Sequence, residues 1–275
     1  MTDQPMPRAD AAALPQGRGV PVAYVLGLLF LINVLNFLDR QLPSILAQSI
    51  KADLNLSDTQ LGLLGGVAFA VFYATLALPL ARLSDRWSAK WVLTGSLMVW
   101  SLLTAAGGFA QTFAQLAASR VGVASGEAGS TPAAHALIST LISPQRRGLA
   151  MGAFSLGVPI GVMSGLVLGG WLNDLHSWRF AMIAMGVPGL VVALLFAFTV
   201  PDRRPTGPVA GAATFLQTAG ALLRLRSYRH LFIGVTIFGI GVYASFHFTP
   251  AFLIRTYGIA TVSYTHLTLP TIYSV

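Results

Sequence analysis

Between Pro21 and Ile254 the sequence is a series of apolar runs of about 20 residues, separated by short loops that carry most of the charge. A helix of that length matches the hydrocarbon thickness of a bilayer and satisfies its backbone donors and acceptors internally. Only 9% of the 275 residues are charged and 55% are hydrophobic, against about 25% charged in a soluble domain. The fold class read from this pattern is all-α, a polytopic membrane protein. No cysteine is present, so no disulfide framework or thiolate metal site is expected. The net charge of +8 lies largely in loops, which reads as membrane topology and not as nucleic-acid binding.

Taken in order, residues 1–20 are read as a disordered tail and residues 21–200 as six spans. Span 1 runs from Pro21 to Leu46 and holds Asn33, Asn36, Asp39 and Arg40. Ser57 and Gln60 form a capping-box pattern that opens span 2, which ends near Leu83. Spans 3 to 6 are placed at Trp91–Ala110, Thr112–Leu141, Leu149–Leu172 and Phe180–Val200. Residues 201–229 read as a linker followed by a surface helix bearing Arg224, Arg226 and Arg229. Residues 230–261 hold a seventh span. Residues 262–275 lose membrane periodicity and read as a non-native, artefactual tail. The Lys and Arg residues of the N-terminal tail, of the loops after spans 2, 4 and 6 and of the surface helix outnumber those opposite. The opposite loops hold Lys51 and Arg179, with Arg40 at the end of span 1, so a cytoplasmic N-terminus is expected.

The stretch from Ser119 to His135, SRVGVASGEAGSTPAAH, places Arg120, Glu127 and His135 inside one apolar segment. Glu127 is the sole glutamate of the chain. An ionisable group at mid-bilayer depth costs at least about 2.5–3.5 kcal/mol on insertion scales and is usually functional. On one continuous helix, Arg120 and Glu127 share a face about 10.5 Å apart along the axis. A buried carboxylate without a cation holds a proton and a nearby arginine drives its release, which is what a proton-coupled transporter needs. The other reading is a static ion pair. Asp39 reads as a second protonatable carboxylate or as an interfacial pair with its neighbour Arg40. His135 reads as a proton relay or as a packing residue.

Asp85, Arg86 and Lys90 lie in the loop after span 2 and read as a cytoplasmic gate motif, Asp85 expected to cap an adjacent helix N-terminus and Arg86 and Lys90 to pair across a closing gate. Gly157, Gly161, Gly165 and Gly169 form a small-residue ridge on span 5, with a kink expected at Pro159. That ridge is expected to await a partner helix outside the six spans. Tyr243, Phe246, His247 and Phe248 read as the lining of a lipid-accommodating cavity or as ordinary membrane-facing aromatics. No nucleophile–base pair or metal-ligand spacing occurs, so neither an enzyme, a cofactor nor a metal site is expected.

The segments NFLDRQLPSILAQSIKADLNLSDTQLGLLGGVAFAVFYA, ARLSDRWSAK, SRVGVASGEAGSTPAAHALIS and GAFSLGVPIGVMSGLVLGGWL resemble the major facilitator superfamily, specifically its spinster-like branch. The loop from Ala81 to Lys90 is similar to the superfamily signature G-x-x-x-D-R-x-G-R-K, with Ala81 and Ser88 in place of its two glycines. The resemblance implies a bacterial inner-membrane transporter of twelve spans in two halves, working by alternating access. This chain would then be a fragment, a six-helix N-terminal half plus a seventh helix, lacking the C-terminal half as its partner. The resemblance also ties Asp39, Arg120 and Glu127 to coupling by a proton, and implies a small-molecule or lipid-like substrate such as a lysolipid, an amphiphile or an organic anion. Drug or sugar efflux, and a non-transporting scaffold or receptor, are the alternatives.

Overall fold

The computed structural model describes residues 20–202 and 215–257. Among them every regular element is helical: α1 (Val22–Ile45), α2 (Ala47–Leu54), α3 (Asp58–Gly65), α4 (Val67–Arg86), α5 (Ala89–Gly107), α6 (Phe113–Glu127), α7 (Ser130–Leu141), α8 (Arg147–Ser155), α9 (Gly157–Leu175), α10 (Trp178–Thr199), α11 (Phe215–Arg224) and α12 (Arg226–Tyr257). The expected disordered N-terminal tail, apart from Val20, and the 262–275 tail lie outside the described residues. So does most of the linker, from 203 to 214.

Five helical stretches among the described residues are long and apolar enough to cross a membrane: Val22–Ile45, Asp58–Arg86, Ala89–Gly107, Arg147–Leu175 and Trp178–Thr199. They coincide with spans 1, 2, 3, 5 and 6. The stretch read as span 4 is not one helix. It breaks at Ala128 and Gly129, directly after Glu127, into α6 and α7. Pro132 has no N–H to offer the carbonyl of Ala128, and Gly126 and Gly129 are weak helix formers. Span 5 breaks between α8 and α9 at Leu156. There Pro159 likewise leaves the carbonyl of Ser155 without its helical donor. In α1 the internal Pro43 withholds the same bond from the carbonyl of Asp39.

The turn into span 2 follows its sequence closely. Asn55 ends α2 in the left-handed region at φ 53°, a conformation asparagine tolerates. Ser57 then caps α3: its Oγ accepts from the Gln60 N–H while the Gln60 side chain accepts from the Ser57 N–H.

The glycine ridge has a partner inside the first six spans, contrary to expectation. Gly157, Gly161, Gly165 and Gly169 are buried against α1. A Cβ at Gly165 would stand 2.6 Å from the carbonyl oxygen of Leu38, and one at Gly161 would collide with that of Val34. The spacing requires backbone to approach backbone, and span 1 supplies the second backbone. The same device recurs unannounced on α10, where a Cβ at Gly186 would come within 2.6 Å of the Ser101 carbonyl oxygen on α5. Buried Trp100, Leu97, Ile32 and Phe196 fill one core, and Leu116, Trp178 and Met182 fill another.

The surface helix is shorter than expected. It ends at Arg224, and Arg226 and Arg229 belong to α12, which runs unbroken for 32 residues. No glycine or proline separates Arg226 from Arg229, so nothing in the sequence stops the helix there. The side chains of Tyr243, Phe246 and His247 lie outside the described residues, and Phe248 is exposed.

Candidate functional site

Consecutive residues on a helix point about 100° apart, so Asp39 and Arg40 cannot face each other. They instead address two different groups on α6. Asp39 Oδ2 accepts from Arg120 Nη1 at 3.1 Å, and its Oδ1 accepts from Thr104 Oγ1 at 2.5 Å. Arg40 Nε donates to Glu127 Oε2 at 2.7 Å. The pairing is thus crossed relative to both readings from sequence: Arg40 does not neutralise Asp39, and Arg120 is not the partner of Glu127. Two turns of α6 hold Arg120 and Glu127 too far apart to bond, and each reaches α1.

Three of the four groups are buried, and Arg40 is partly so, its side chain 12% exposed. Glu127 is 0% exposed, and Arg120 and Asp39 are buried with it. A buried ion pair persists only with good geometry and further hydrogen bonds, and breaking one side leaves an uncompensated charge. Aromatic faces supply part of that compensation. The Arg40 guanidinium lies 4.9 Å from the ring centre of Phe37, 5.6 Å from Phe69 and 4.7 Å from Tyr73. Arg120 lies 5.7 Å from the same Phe69 ring, so one phenyl group on α4 contacts both cations. Beside Arg120, an otherwise apolar pocket is lined by Leu42, Pro43, Ile50, Leu61, Leu64 and Met182 among others.

His135 stands apart from this cluster. It lies on α7, exposed, with its ring edge-on to Phe154 at 5.6 Å. Among the described residues it bonds to neither acid of the cluster.

At the loop after span 2, Asp85 and Arg86 are exposed while Lys90 is buried, its Nζ 4.6 Å from the Trp91 ring centre. Asp85 lies in the last turn of α4. Ser88 is the cap: its Oγ accepts from the Trp91 N–H at 3.2 Å and donates to Asp202 Oδ1 at 2.6 Å. That hydroxyl ties the start of α5 to the end of α10. At the other end of the bundle, Asp53 accepts from Trp178 Nε1 at 3.2 Å and from Arg179, whose Nη2 also donates to the Ala110 carbonyl. The Arg179 hydrogen bond holds the Asp53 carboxyl below its ordinary range.

Sequence reasoning missed Thr104, the Phe69 and Tyr73 rings and the true partner of Glu127. The i, i+4 spacing of Phe69 and Tyr73 is visible in the sequence, but which cation they meet is a tertiary fact. Asp202 also went unnoticed, since a lone acid after a span carries no local signal.

Comparison with known proteins places this geometry in a family context. The family model described as Major Facilitator Superfamily matches residues 29–275. The chain is 40% identical over 239 residues to an MFS-type efflux pump of Mycolicibacterium smegmatis, covering 85% of the chain and 55% of that protein. It is 29% identical to the hexuronate transporter of Bacillus subtilis, covering 88% of the chain and 58% of that protein. A crystal structure of a bacterial homologue of the human lysosomal transporter spinster, inward-facing and unoccupied, superposes with a TM-score of 0.78 at 31% identity. That match covers 88% of this chain and 57% of the other. The chain spans about half the length of the curated relatives it matches.

Proposed function

The chain belongs to the major facilitator superfamily, and from that premise we propose that it carries the coupling half of a proton-driven secondary transporter. The observation that carries this reading is the crossed pair of buried ion pairs, Asp39–Arg120 and Arg40–Glu127. Each acid holds the cation of the other helix. A proton on Glu127 cancels its charge and frees Arg40, which the Phe37, Phe69 and Tyr73 rings then retain. A proton on Asp39 frees Arg120 beside the apolar pocket. A freed arginine beside apolar side chains offers charge to the head group of an anionic amphiphile or organic anion, which requires the space there, about 10 Å³ in this conformation, to open.

Each proton thus frees an arginine of the opposite helix, and binding of an anion is linked to protonation of Glu127 or of Asp39 through the arginine that each releases. The N-terminus is assigned to the cytoplasm of a bacterial inner membrane, on the placement of Lys and Arg in the loops. Asp85, Arg86 and Lys90 are assigned to the cytoplasmic gate. The relatives range from an efflux pump to a hexuronate transporter and a spinster homologue, so the substrate is assigned only to a chemical class.

The test is Glu127→Gln in the full-length transporter reconstituted in liposomes, with gradient-driven uptake of a sugar acid and of a lysolipid measured beside thermal stability. The expected result is loss of the response to a pH gradient with exchange at equal pH retained. Undiminished gradient-driven uptake by the Gln variant would reject the coupling role. Collapse of the fold in that variant would favour a scaffold in which Glu127 serves only to hold Arg40.

A further inference from the structure

Three buried side chains of the candidate site keep polar atoms that find no hydrogen-bond partner among the described residues. They are Nε of Arg120, Oε1 of Glu127, and both amide atoms of Asn36. Asn36 is 1% exposed. Each such group left unmade costs about 1–3 kcal/mol, and protein interiors satisfy clusters of this kind with bound water. The chemical demands are complementary: Arg120 Nε donates, Glu127 Oε1 accepts, and an amide does both. Because both amide atoms are free, either orientation of the Asn36 side chain serves.

Helical register brings the three together. Asn36 precedes Asp39 by three residues and Arg40 by four, which sets it one turn back and between the two directions in which they point, about 4.5 Å along the axis from Asp39. Glu127 lies about 10.5 Å along α6 from Arg120. Successive spans cross in alternating directions, so α1 of span 1 and α6 of span 4 run in opposite senses and both displacements point the same way. Asn36 therefore sits at a level between the two ion pairs. Side chains on a helix tilt towards its N-terminus, which carries the Arg40 head group, and with it Glu127, towards the Asn36 turn.

We propose that Asn36 holds a water molecule that bridges Arg120 Nε and Glu127 Oε1, joining the two ion pairs into one network. The site itself stands on the orphaned atoms and the register. Its consequence, that occupancy of one acid is felt at the other, rests on the proton-coupling reading above. The charged groups that register places nearest Asn36 are Asp39 and Arg40 on its own helix and, through their ion pairs, Arg120 and Glu127 on α6, with Thr104 of α5 bonded to Asp39 as a neutral neighbour. Asn36 is a positioning residue in this scheme: it acts through the water.

A double-mutant cycle tests the bridge on the purified chain in detergent without added substrate. Arg120→Lys keeps the charge and deletes Nε, and Asn36→Leu deletes the amide. The two side chains share no direct hydrogen bond, so without a bridge their effects on the unfolding equilibrium add. With it they are non-additive by roughly threefold or more. Additive effects overturn the proposal. So does non-additivity that appears only when a sugar acid or lysolipid is supplied, because the occupant is then a substrate hydroxyl. Difference infrared spectra in heavy-oxygen water give a second readout. An isotope-sensitive O–H stretch present in the wild type, lost in Asn36→Leu and restored in Asn36→Ser supports the bridge, and its persistence in Asn36→Leu refutes it. The Asn36→Ser arm applies even if the leucine variant fails to fold. A non-additive cycle alongside undiminished gradient-driven uptake by Glu127→Gln removes the coupling reading and leaves the bridge; the opposite pair of results does the reverse.

Discussion

Thr104 shows how much of the candidate site depends on a residue with no charge. Its hydroxyl donates to Asp39 Oδ1 from a fully buried position on α5, so the carboxylate is held from two helices at once. Thr104→Val keeps the shape and removes the donor. Hydrogen bonds to charged groups contribute about 1.5–3 kcal/mol, and a loss of that order is expected in detergent unfolding, with Thr104→Ser recovering most of it. An unchanged midpoint for the valine variant would mean that Arg120 alone fixes Asp39. The same scale explains why the pairing escaped sequence reasoning. Arg40 adjoins Asp39 in the chain and Arg120 shares a face with Glu127, so both local pairings are the obvious ones. Helix geometry forbids the first by its angle and the second by its length. The four charged residues were legible because charge inside an apolar run is conspicuous. Their partners were not, because a helical wheel describes one helix and an ion pair needs two.

At the level of helices, the seam between α1 and α9 is what presents Asp39 and Arg40 to α6. Gly157, Gly161, Gly165 and Gly169 let the two backbones meet on one side of α1, leaving the opposite side to carry the charge. A side chain at Gly165 would have to displace backbone, since the Leu38 carbonyl oxygen and the Gln41 Cβ both lie within 3.0 Å of where its Cβ would stand. Gly165→Val is expected to destabilise by about 1–3 kcal/mol, the usual cost of overpacking. Gly95→Ala on α5, with open space around it, should be neutral or slightly stabilising. Equal melting temperatures for the two variants would show that the seam is loose. The four-residue spacing announced a close approach but not its partner, so the ridge read as waiting for a helix that span 1 already supplies. Breaks were legible where proline causes them, as at Leu156 before Pro159. The break after Glu127 was harder to see, because Pro132 stands five residues beyond the acid.

Across the whole molecule, ties far from the ion pairs hold the ends of the bundle in place. Asp53 joins α2 to the start of α10, and Arg179 carries the tie on to the Ala110 carbonyl. Because Arg179 holds the Asp53 carboxyl below its ordinary range, the native state favours the charged form. That contribution is present above the ordinary carboxylate value of about 3.9 and is lost as the pH falls through it and below. Thermal midpoints measured against pH should therefore decline towards acid less steeply in Asp53→Asn than in the wild type; parallel curves would show that the tie contributes nothing. Charge balance at the centre has a different reach. Asp39 and Glu127 set against Arg40 and Arg120 make a body that is electrically neutral before any proton arrives. One bound proton gives it a single positive charge, on which a membrane potential of 100 mV acts with up to about 2.3 kcal/mol. In the proposed cycle a bound monoanion cancels that charge, so the potential acts on the cluster only while the proton is held without its anion.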